Sequence, residues 1–213
     1  IITSTSISDD EPLKVSYLFR TFDDMPLLEQ TALNMAKGTI LDIGCGAGSH
    51  SLFLQEKGFE IKSIDISPKA IEYCCQRGLQ NVDVLNVLNE TNSFDTLLLL
   101  MNGSGIFKSL EQTPEVLAHL KTLLNKKGQI LVDSSDIKYM YEDEDSGFWM
   151  DAHSAYYGEL EYMVRYKNKE DSFLWMYLDF ERLKTACTIV GLSCEKVIDG
   201  PHHDFLAKIT LKD

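Results

Sequence analysis

The sequence lacks the long apolar runs of a membrane protein and the basic surplus of a nucleic-acid-binding protein. Its longest apolar run, at 97–101, is far shorter than the roughly 18 residues of a membrane-spanning helix. Lysine and arginine number 20 against 33 aspartates and glutamates, so the formal net charge is -13. The short apolar runs predict that the chain has no membrane span. Because contact with a phosphate backbone needs clustered basic side chains, we also expect no broad nucleic-acid surface.

Cysteine is also scarce. The five cysteines are odd in number and include no C-x-x-C pair, which argues against a disulfide framework and against a zinc site. Free thiols in a reducing cytoplasm are the simplest interpretation. The N-terminus lacks the basic stretch followed by apolar residues that is typical of a signal peptide. The sequence begins at Ile1 instead of methionine, which leaves open whether the native chain extends further.

What the sequence does contain is an alternation of short apolar runs with helical segments. Such alternation is typical of βαβ units and of a parallel sheet. The fourth run is almost wholly apolar, as expected for a strand covered on both faces. The predicted strands lie at 39–43, 60–65, 82–86, 95–101 and 129–134.

The most informative segment is LDIGCGAGSH, which follows the first predicted strand. Its glycines follow the pattern G-x-G-x-G at Gly44, Gly46 and Gly48, with Asp42 two residues before the first of them. Glycines allow a sharp turn and the close approach of a ligand. A dinucleotide-binding loop would carry its third glycine at position 49, where a serine stands. A carboxylate at this place would repel a pyrophosphate but suits a ligand that carries an amino group.

A second acid, Asp65, ends the next predicted strand, about 20 residues after the first glycine, where an acid can accept hydrogen bonds from ribose hydroxyls. Each feature alone is also compatible with an ordinary glycine turn or strand end. Together they predict a nucleoside-binding site. S-adenosylmethionine (SAM) fits the glycine loop with its acid and also the second acid, because it carries an ammonium group, a sulfonium cation and a ribose.

LDIGCGAG followed by SIDIS at 63–67 resembles motifs I and II of the class I SAM-dependent methyltransferases, and the similarity covers 38–134 well. The resemblance implies an α/β fold: a Rossmann-like three-layer αβα sandwich around a seven-stranded, mostly parallel sheet. The implied strand order is 3-2-1-4-5-7-6, with strand seven antiparallel. It places the cofactor at the carboxyl edge of the sheet, in agreement with the general rule for open α/β sheets.

Patterns and resemblance together predict one domain over residues 1–213 with four parts. Residues 1–37 would form an N-terminal helical lid whose first ten residues are frayed, and 38–135 the SAM-binding core. Residues 136–179 would form a loop and a β-hairpin inserted after strand five, because aromatic and β-branched residues flank a polar turn. Residues 180–213 would form a helix and a closing antiparallel strand pair.

The resemblance also assigns residues to SAM. The glycine loop would hold its methionine part, the second acid its ribose, and residues after the third strand its adenine. Three of these assignments have alternatives. Many relatives carry aspartate where this chain has Asn86, and the Asn-Gly pair after strand four is also a common turn. Arg20 is also compatible with a solvated residue on a helix. The expected contacts are Asp42, Gly44, Cys45, Gly46, Gly48, Asp65, Ile66, Asn86, Val87, Asn102, Gly103 and Arg20.

No single catalytic residue follows from the sequence, and the acceptor side offers weaker candidates. Asp133 and Asp136 at the end of strand five could act as bases or as helix caps, and Tyr157 could line a pocket or pack within its strand. His202 and His203 would point to opposite faces of a strand and cannot easily share a metal ion, so we expect no metal site. His202 alone is a candidate near the acceptor.

The sequence therefore predicts a SAM-dependent methyltransferase that transfers the methyl group in line to a small-molecule acceptor. The alternatives are a non-catalytic SAM-binding sensor and, less favoured by the glycine spacing, a nicotinamide-dependent oxidoreductase. The acceptor, the methylated atom and the oligomeric state stay open.

Overall fold

A computed structural model describes residues 1–142 and 156–212 of the chain. An α-helix follows the third, the fourth, the sixth and the ninth strand, so helices separate most of the strands predicted between residues 39 and 134. The strands are β1 (Ile2–Thr5), β2 (Ser8–Pro12), β3 (Ile40–Ile43), β4 (Ile61–Asp65), β5 (Val82–Val84), β6 (Phe94–Leu99), β7 (Leu124–Ser135), β8 (Glu159–Tyr166), β9 (Lys169–Met176), β10 (Leu192–Asp199) and β11 (Asp204–Leu211). The α-helices are α1 (Leu27–Met35), α2 (Ser49–Glu56), α3 (Pro68–Gln76), α4 (Thr113–Thr122) and α5 (Phe180–Ile189).

The main sheet has seven strands in the order β10-β11-β7-β6-β3-β4-β5. The five strands from β7 to β5 run parallel, and β11 runs antiparallel to both of its neighbours. Numbered within this sheet alone, the order is 3-2-1-4-5-7-6 with the last strand antiparallel. The predicted fold and strand order are therefore confirmed.

Apolar side chains cover the two faces of the sheet in turn. Ile40 and Leu98 pack on one face against α1 and α2, through residues such as Leu33 and Leu54. The residues next to them along the strands, such as Leu41, Leu97 and Leu99, pack on the other face against α4 and α5. Because successive strand residues point to opposite faces, continuous apolar strands produce a three-layer sandwich.

The register of the parallel strands brings their carboxyl ends to one edge of the sheet. Ile43 of β3 lies beside Ile64 of β4, and Leu99 of β6 lies beside Val132 of β7. The loops that follow these four strands therefore meet at the same edge, which is where ligands bind in open α/β sheets.

A second, four-stranded antiparallel sheet has the order β2-β1-β8-β9. Its β8–β9 hairpin is the predicted insertion, with a tighter turn than expected, since Tyr166 already pairs with Lys169. The expectation that the first ten residues are frayed was wrong. Residues Ile2 to Thr5 pair with β8, so backbone hydrogen bonds order the N-terminus as a hairpin, and only residues after it in the predicted lid are helical.

Part of the predicted loop and hairpin segment, residues 143–155, lies outside the described residues. Within the described ranges, no helix is both long and apolar enough to cross a membrane. The remaining division of the chain into lid, core, insertion and closing strands stays a prediction.

Candidate active site

The glycine loop begins where β3 ends. Gly44, Gly46 and Gly48 have positive φ angles of 73°, 53° and 78°, which residues with a side chain rarely adopt. A Cβ on Gly46 would meet no atom of the chain closer than 4.0 Å, whereas a Cβ on Gly48 would lie 2.5 Å from Leu79 Cδ1. Gly46 therefore leaves space for a ligand, and Gly48 allows the loop to pack on the core.

Asp65 holds this loop in place. Its Oδ2 accepts a hydrogen bond from Gly46 N–H at 2.9 Å, and its Oδ1 accepts one from Ser67 N–H at 2.8 Å. Each carboxylate oxygen retains a further lone pair that can accept a bond from a ribose hydroxyl. The neighbouring Ile66 is 74% exposed, so an apolar surface lies beside the acid. These features fit a nucleoside whose ribose contacts Asp65 and whose base contacts Ile66.

We expect Asp65→Ala to weaken SAM binding by about 1–3 kcal/mol, because the substitution removes a charged acceptor and frees the N–H of Gly46. Isothermal titration calorimetry with SAM measures this effect. Asp65→Asn, which retains one acceptor oxygen, should lose less. Unchanged affinity of the alanine variant would remove Asp65 from the site.

Asp42 lies beneath the loop. It is 2% exposed, and its Oδ2 accepts a hydrogen bond from Ser51 Oγ, which in turn accepts one from Ser63 Oγ at 2.7 Å. Burial raises the pKa of this carboxyl. Asp42 thus ties β3 to α2 and β4, and its contact with the amino group of a ligand stays a prediction.

Asp133, near the end of β7, holds the loop that follows β6. Its Oδ2 accepts Asn102 N–H at 3.0 Å and its Oδ1 accepts Gly103 N–H at 2.8 Å. Burial raises the pKa of Asp133 to about 6, although the two backbone N–H groups favour the ionised form. The structure thus brings one candidate for the acceptor side into contact with two candidates for the cofactor side.

A buried ion network that the sequence did not reveal connects the N-terminal segment (residues 13–26) to α1 and α2. The Arg20 guanidinium pairs with the Glu29 carboxylate and donates to Tyr17 O at 2.6 Å. His50 Nε2 lies 2.7 Å from Glu29 Oε2. Burial opposes ionisation of Glu29, but the contacts with His50 and Arg20 hold its pKa below the usual value. The guanidinium of Arg20 is already paired with Glu29. Its expected contact with a ligand carboxylate stays a prediction.

The N-terminal segment contacts α2 and α3 next to the glycine loop. Ser49 Oγ, at the start of α2, donates to Leu18 O at 3.0 Å. The Phe19 ring lies between Tyr73, with ring centroids 5.4 Å apart, and the Arg77 guanidinium, 5.2 Å from the Phe19 centroid. Arg77 also donates to Ala47 O in the loop. The role of the segment as a lid over the cofactor stays a prediction.

Between the N-terminal segment and the carboxyl edge of the sheet lies a pocket of about 210 Å³. It extends from the end of β6 to the start of β11. Its lining is rich in acceptor groups, which include three carboxylates. The lining residues are Tyr17, Pro26, Leu28, Glu29, Met101, Asn102, Asp133, Ser135 and Asp204.

Other candidates for the acceptor side lie elsewhere. Tyr157 Oη donates to Asp136 Oδ1 at 2.8 Å, and neither residue belongs to the pocket lining. The expectation that His202 and His203 lie in a strand was wrong: both are exposed in the turn before β11, where the His203 ring stacks on Tyr139 at 4.6 Å.

The two residues expected to contact adenine, Asn86 and Val87, make hydrogen bonds within the chain. Asn86 is exposed, and its Oδ1 caps the turn that follows by accepting Leu88 N–H at 3.0 Å. Val87 is buried and its carbonyl lies 2.8 Å from His119 Nε2. Their contacts with adenine stay predictions. In residues 1–142 and 156–212, no group of three or more His, Cys, Asp or Glu is arranged to hold a metal ion.

Comparisons with known proteins agree with this fold and loop. The family described as "Methyltransferase domain" matches residues 34–175. A SAM-dependent methyltransferase from Bacteroides fragilis, solved in complex with S-adenosyl-L-homocysteine, is 43% identical. The match covers 100% of this chain and 87% of that chain, with a TM-score of 0.92. The fold and the site thus define a class I, Rossmann-like methyltransferase, and the chain belongs to the SAM-dependent methyltransferase family.

Curated relatives are more distant. A glycine/sarcosine/dimethylglycine N-methyltransferase from Actinopolyspora halophila is 26% identical over 65% of this chain. A 2-heptyl-1-hydroxyquinolin-4(1H)-one methyltransferase from Mycobacteroides abscessus is 37% identical over 40% of it. The matched regions span 28% and 39% of these two proteins, so the chain spans less than half the length of the curated relatives that it matches.

Proposed function

We propose that the protein transfers the methyl group of SAM to a small-molecule acceptor that binds in the pocket beneath the N-terminal segment. One observation carries the proposal: the Asp65-clamped glycine loop and the Asp133-lined pocket lie at the same edge of one sheet. A nucleoside at the loop and an acceptor in the pocket would therefore be neighbours. The structure of the Bacteroides fragilis relative with S-adenosyl-L-homocysteine supports the choice of SAM as the methyl donor.

The residues of the chain would mainly bind and align the two reactants. Asp65 accepts from the ribose, Ile66 contacts the adenine, and the backbone around Gly46 lies against the remainder of the nucleoside. Bound SAM supplies an already activated methyl group, so alignment and exclusion of water account for most of the catalysis. The N-terminal segment excludes water through its contacts with the start of α2 and with the end of α3, which lie next to the glycine loop.

The two curated relatives are named for different acceptors, an amino acid amine and a hydroxyquinolone. The acceptor of this chain therefore has to be inferred from its own pocket. For its location we propose the cytoplasm, because all five cysteines are free thiols.

Ligand selectivity tests the proposed donor. With SAM at about 100 times its dissociation constant, selective binding stabilises the fold by about 2.7 kcal/mol, which corresponds to a rise in Tm of about 5–10 °C for a domain of this size. We expect this rise with SAM and with S-adenosylhomocysteine, and none with NADH. A shift with NADH alone would instead favour the oxidoreductase alternative. Formation of S-adenosylhomocysteine together with a methylated product would separate an enzyme from a sensor.

A further inference from the structure

We propose that the acceptor is a small amine, bound as a cation, whose nitrogen loses a proton to Asp133. The inference rests on the proposed function and names the substrate class of the same pocket. Three carboxylates line the pocket, those of Glu29, Asp133 and Asp204. Among the described residues that line it, none is lysine, arginine or histidine. A positively charged ligand therefore complements this lining, and an anionic ligand is repelled.

The three carboxylates differ in whether a positively charged side chain of the protein already neutralises them. Glu29 is paired with Arg20 and contacts His50. Asp133 is 8% exposed, and the donors to its two oxygens are backbone N–H groups of uncharged residues. Within the described residues no salt bridge reaches Asp133. A buried carboxylate in this situation favours a cationic partner, and the pocket is where such a partner can reach it.

A second polar group in the pocket also calls for a donor. The Asn102 amide is oriented by its Nδ2, which donates to Met176 O at 3.0 Å. The opposite atom, Oδ1, is buried and has no hydrogen-bond partner in the described part of the chain. Buried acceptors are normally satisfied, and an ammonium group offers several N–H donors and no acceptor. Asn102 Oδ1 thus favours a ligand with a hydrogen-bond donor over a carboxylate, and the charge of Asp133 favours an ammonium group over a hydroxyl.

Asp133 also has a role in the reaction. The bound ammonium transfers one proton to the Asp133 carboxylate, which leaves a neutral amine with a free lone pair. The lone pair forms the nitrogen–carbon bond to the activated methyl group, while the carbon–sulfur bond breaks and its electron pair stays on sulfur. The products are S-adenosylhomocysteine and the N-methylated ammonium. Asp133 then releases its proton to water as the product leaves.

Several charged groups act on Asp133 from the elements packed around it. The charge of Glu29 on α1 raises the pKa of Asp133, whereas His50 on α2 lowers it. Asp204, at the start of β11, lines the same pocket. Arg20 and Tyr17 of the N-terminal segment lie beyond Glu29. Because burial raises the pKa of Asp133 to about 6, the group is ionised at neutral pH and is more basic than an ordinary aspartate.

Paired probes test the substrate class by binding. The protein saturated with S-adenosylhomocysteine is heated with each member of a panel of primary and secondary amines, amino alcohols and aminosugars, each matched to the alcohol of the same skeleton. We expect at least one amine to raise Tm and its matched alcohol to leave Tm unchanged. If S-adenosylhomocysteine binds but no amine does, or if alcohols or carboxylates bind as well, the inference is overturned while the proposed function stands. Absence of any shift with S-adenosylhomocysteine itself would overturn the proposed function.

Variants then test Asp133. Asp133→Asn should abolish the shift produced by the amine. S-adenosylhomocysteine should still raise Tm, by the same amount or less, because Asp133 also holds the N–H groups of Asn102 and Gly103. Asp9→Asn, which removes the same charge from an exposed position on β2, should retain both. If Asp133→Asn unfolds the loop at Asn102, Asp204→Asn provides the second variant, with a partial loss of the amine shift expected. Amine binding that survives both substitutions contradicts the inference.

The pH profile separates a proton acceptor from a merely structural carboxylate. With the amine identified in the panel, kcat/KM should fall about tenfold for each pH unit below about 6, because protonated Asp133 can no longer accept the proton. Asp133→Asn should lack this inflection. A wild-type profile without an inflection near pH 6, or the same inflection in the variant, would exclude Asp133 as the acceptor.

Discussion

Gly46→Val is expected to abolish binding of SAM and of S-adenosylhomocysteine while the chain still folds. No atom of the chain lies within 4.0 Å of a Cβ at this position, so the added side chain occupies the space on the ligand side of the loop. The φ angle of 53° is also unfavourable for a β-branched residue, which costs about 1–3 kcal/mol and distorts the N–H that donates to Asp65. Calorimetry should show a loss of affinity of roughly 100-fold or more, equivalent to ~3 kcal/mol.

Gly58→Val is the matched control. Gly58 follows α2, has a positive φ of 85°, and has no atom within 4 Å of an added Cβ. The substitution therefore introduces similar backbone strain away from the site, and its variant should lose stability but bind SAM normally. Gly48→Ala should act differently, through a clash with Leu79 and Cys74 that lowers Tm. Normal SAM affinity of Gly46→Val would show that the loop does not contact the ligand.

The sheet could be predicted because its signals are local. The first strand of the main sheet, β3, is a short apolar run between Gly38 and Gly44, and Ser67 caps α3 as its position before Pro68 suggests. The second sheet could not be predicted in the same way. Its N-terminal strands are polar, and Ile2 pairs with Arg165, a partner far away in the sequence. Only the folded chain shows that the hairpin after strand five offers an edge to the N-terminus.

The same division applies to the site. The glycine spacing and the acid that ends β4 predict Gly46 and Asp65 as ligand contacts, and the structure adds the hydrogen bond that joins them. The bond between Asn102 and Asp133 joins the loop after β6 to the end of β7, and these two strands are neighbours only in the folded sheet. Sequence spacing places both residues at strand ends but carries no information on their contact. Glu29 had no signal at all, since a single acid on an amphipathic helix is normally solvated.

Glu29→Gln is expected to lower the free energy of unfolding by about 3–5 kcal/mol, because it leaves the Arg20 cation buried without its carboxylate. The side chains of Arg20 and Glu29 are each 4% exposed, so water cannot replace the lost partner. Urea denaturation at pH 7 measures the change. Glu56→Gln, at the exposed end of α2, should change stability by less than about 0.5 kcal/mol.

The dependence on pH gives the second measurement for Glu29. Its pKa is below the ordinary value of 4.5 in the folded chain, so its stabilising contribution is complete above 4.5 and is lost as the pH falls through the folded value. The stability difference between wild type and Glu29→Gln should therefore be largest near neutral pH and shrink below pH 4.5. Arg20→Met combined with Glu29→Gln should recover part of the loss, since no unpaired cation remains. A Glu29→Gln variant as stable as wild type at pH 7 would mean that the network does not hold the N-terminal segment on the core.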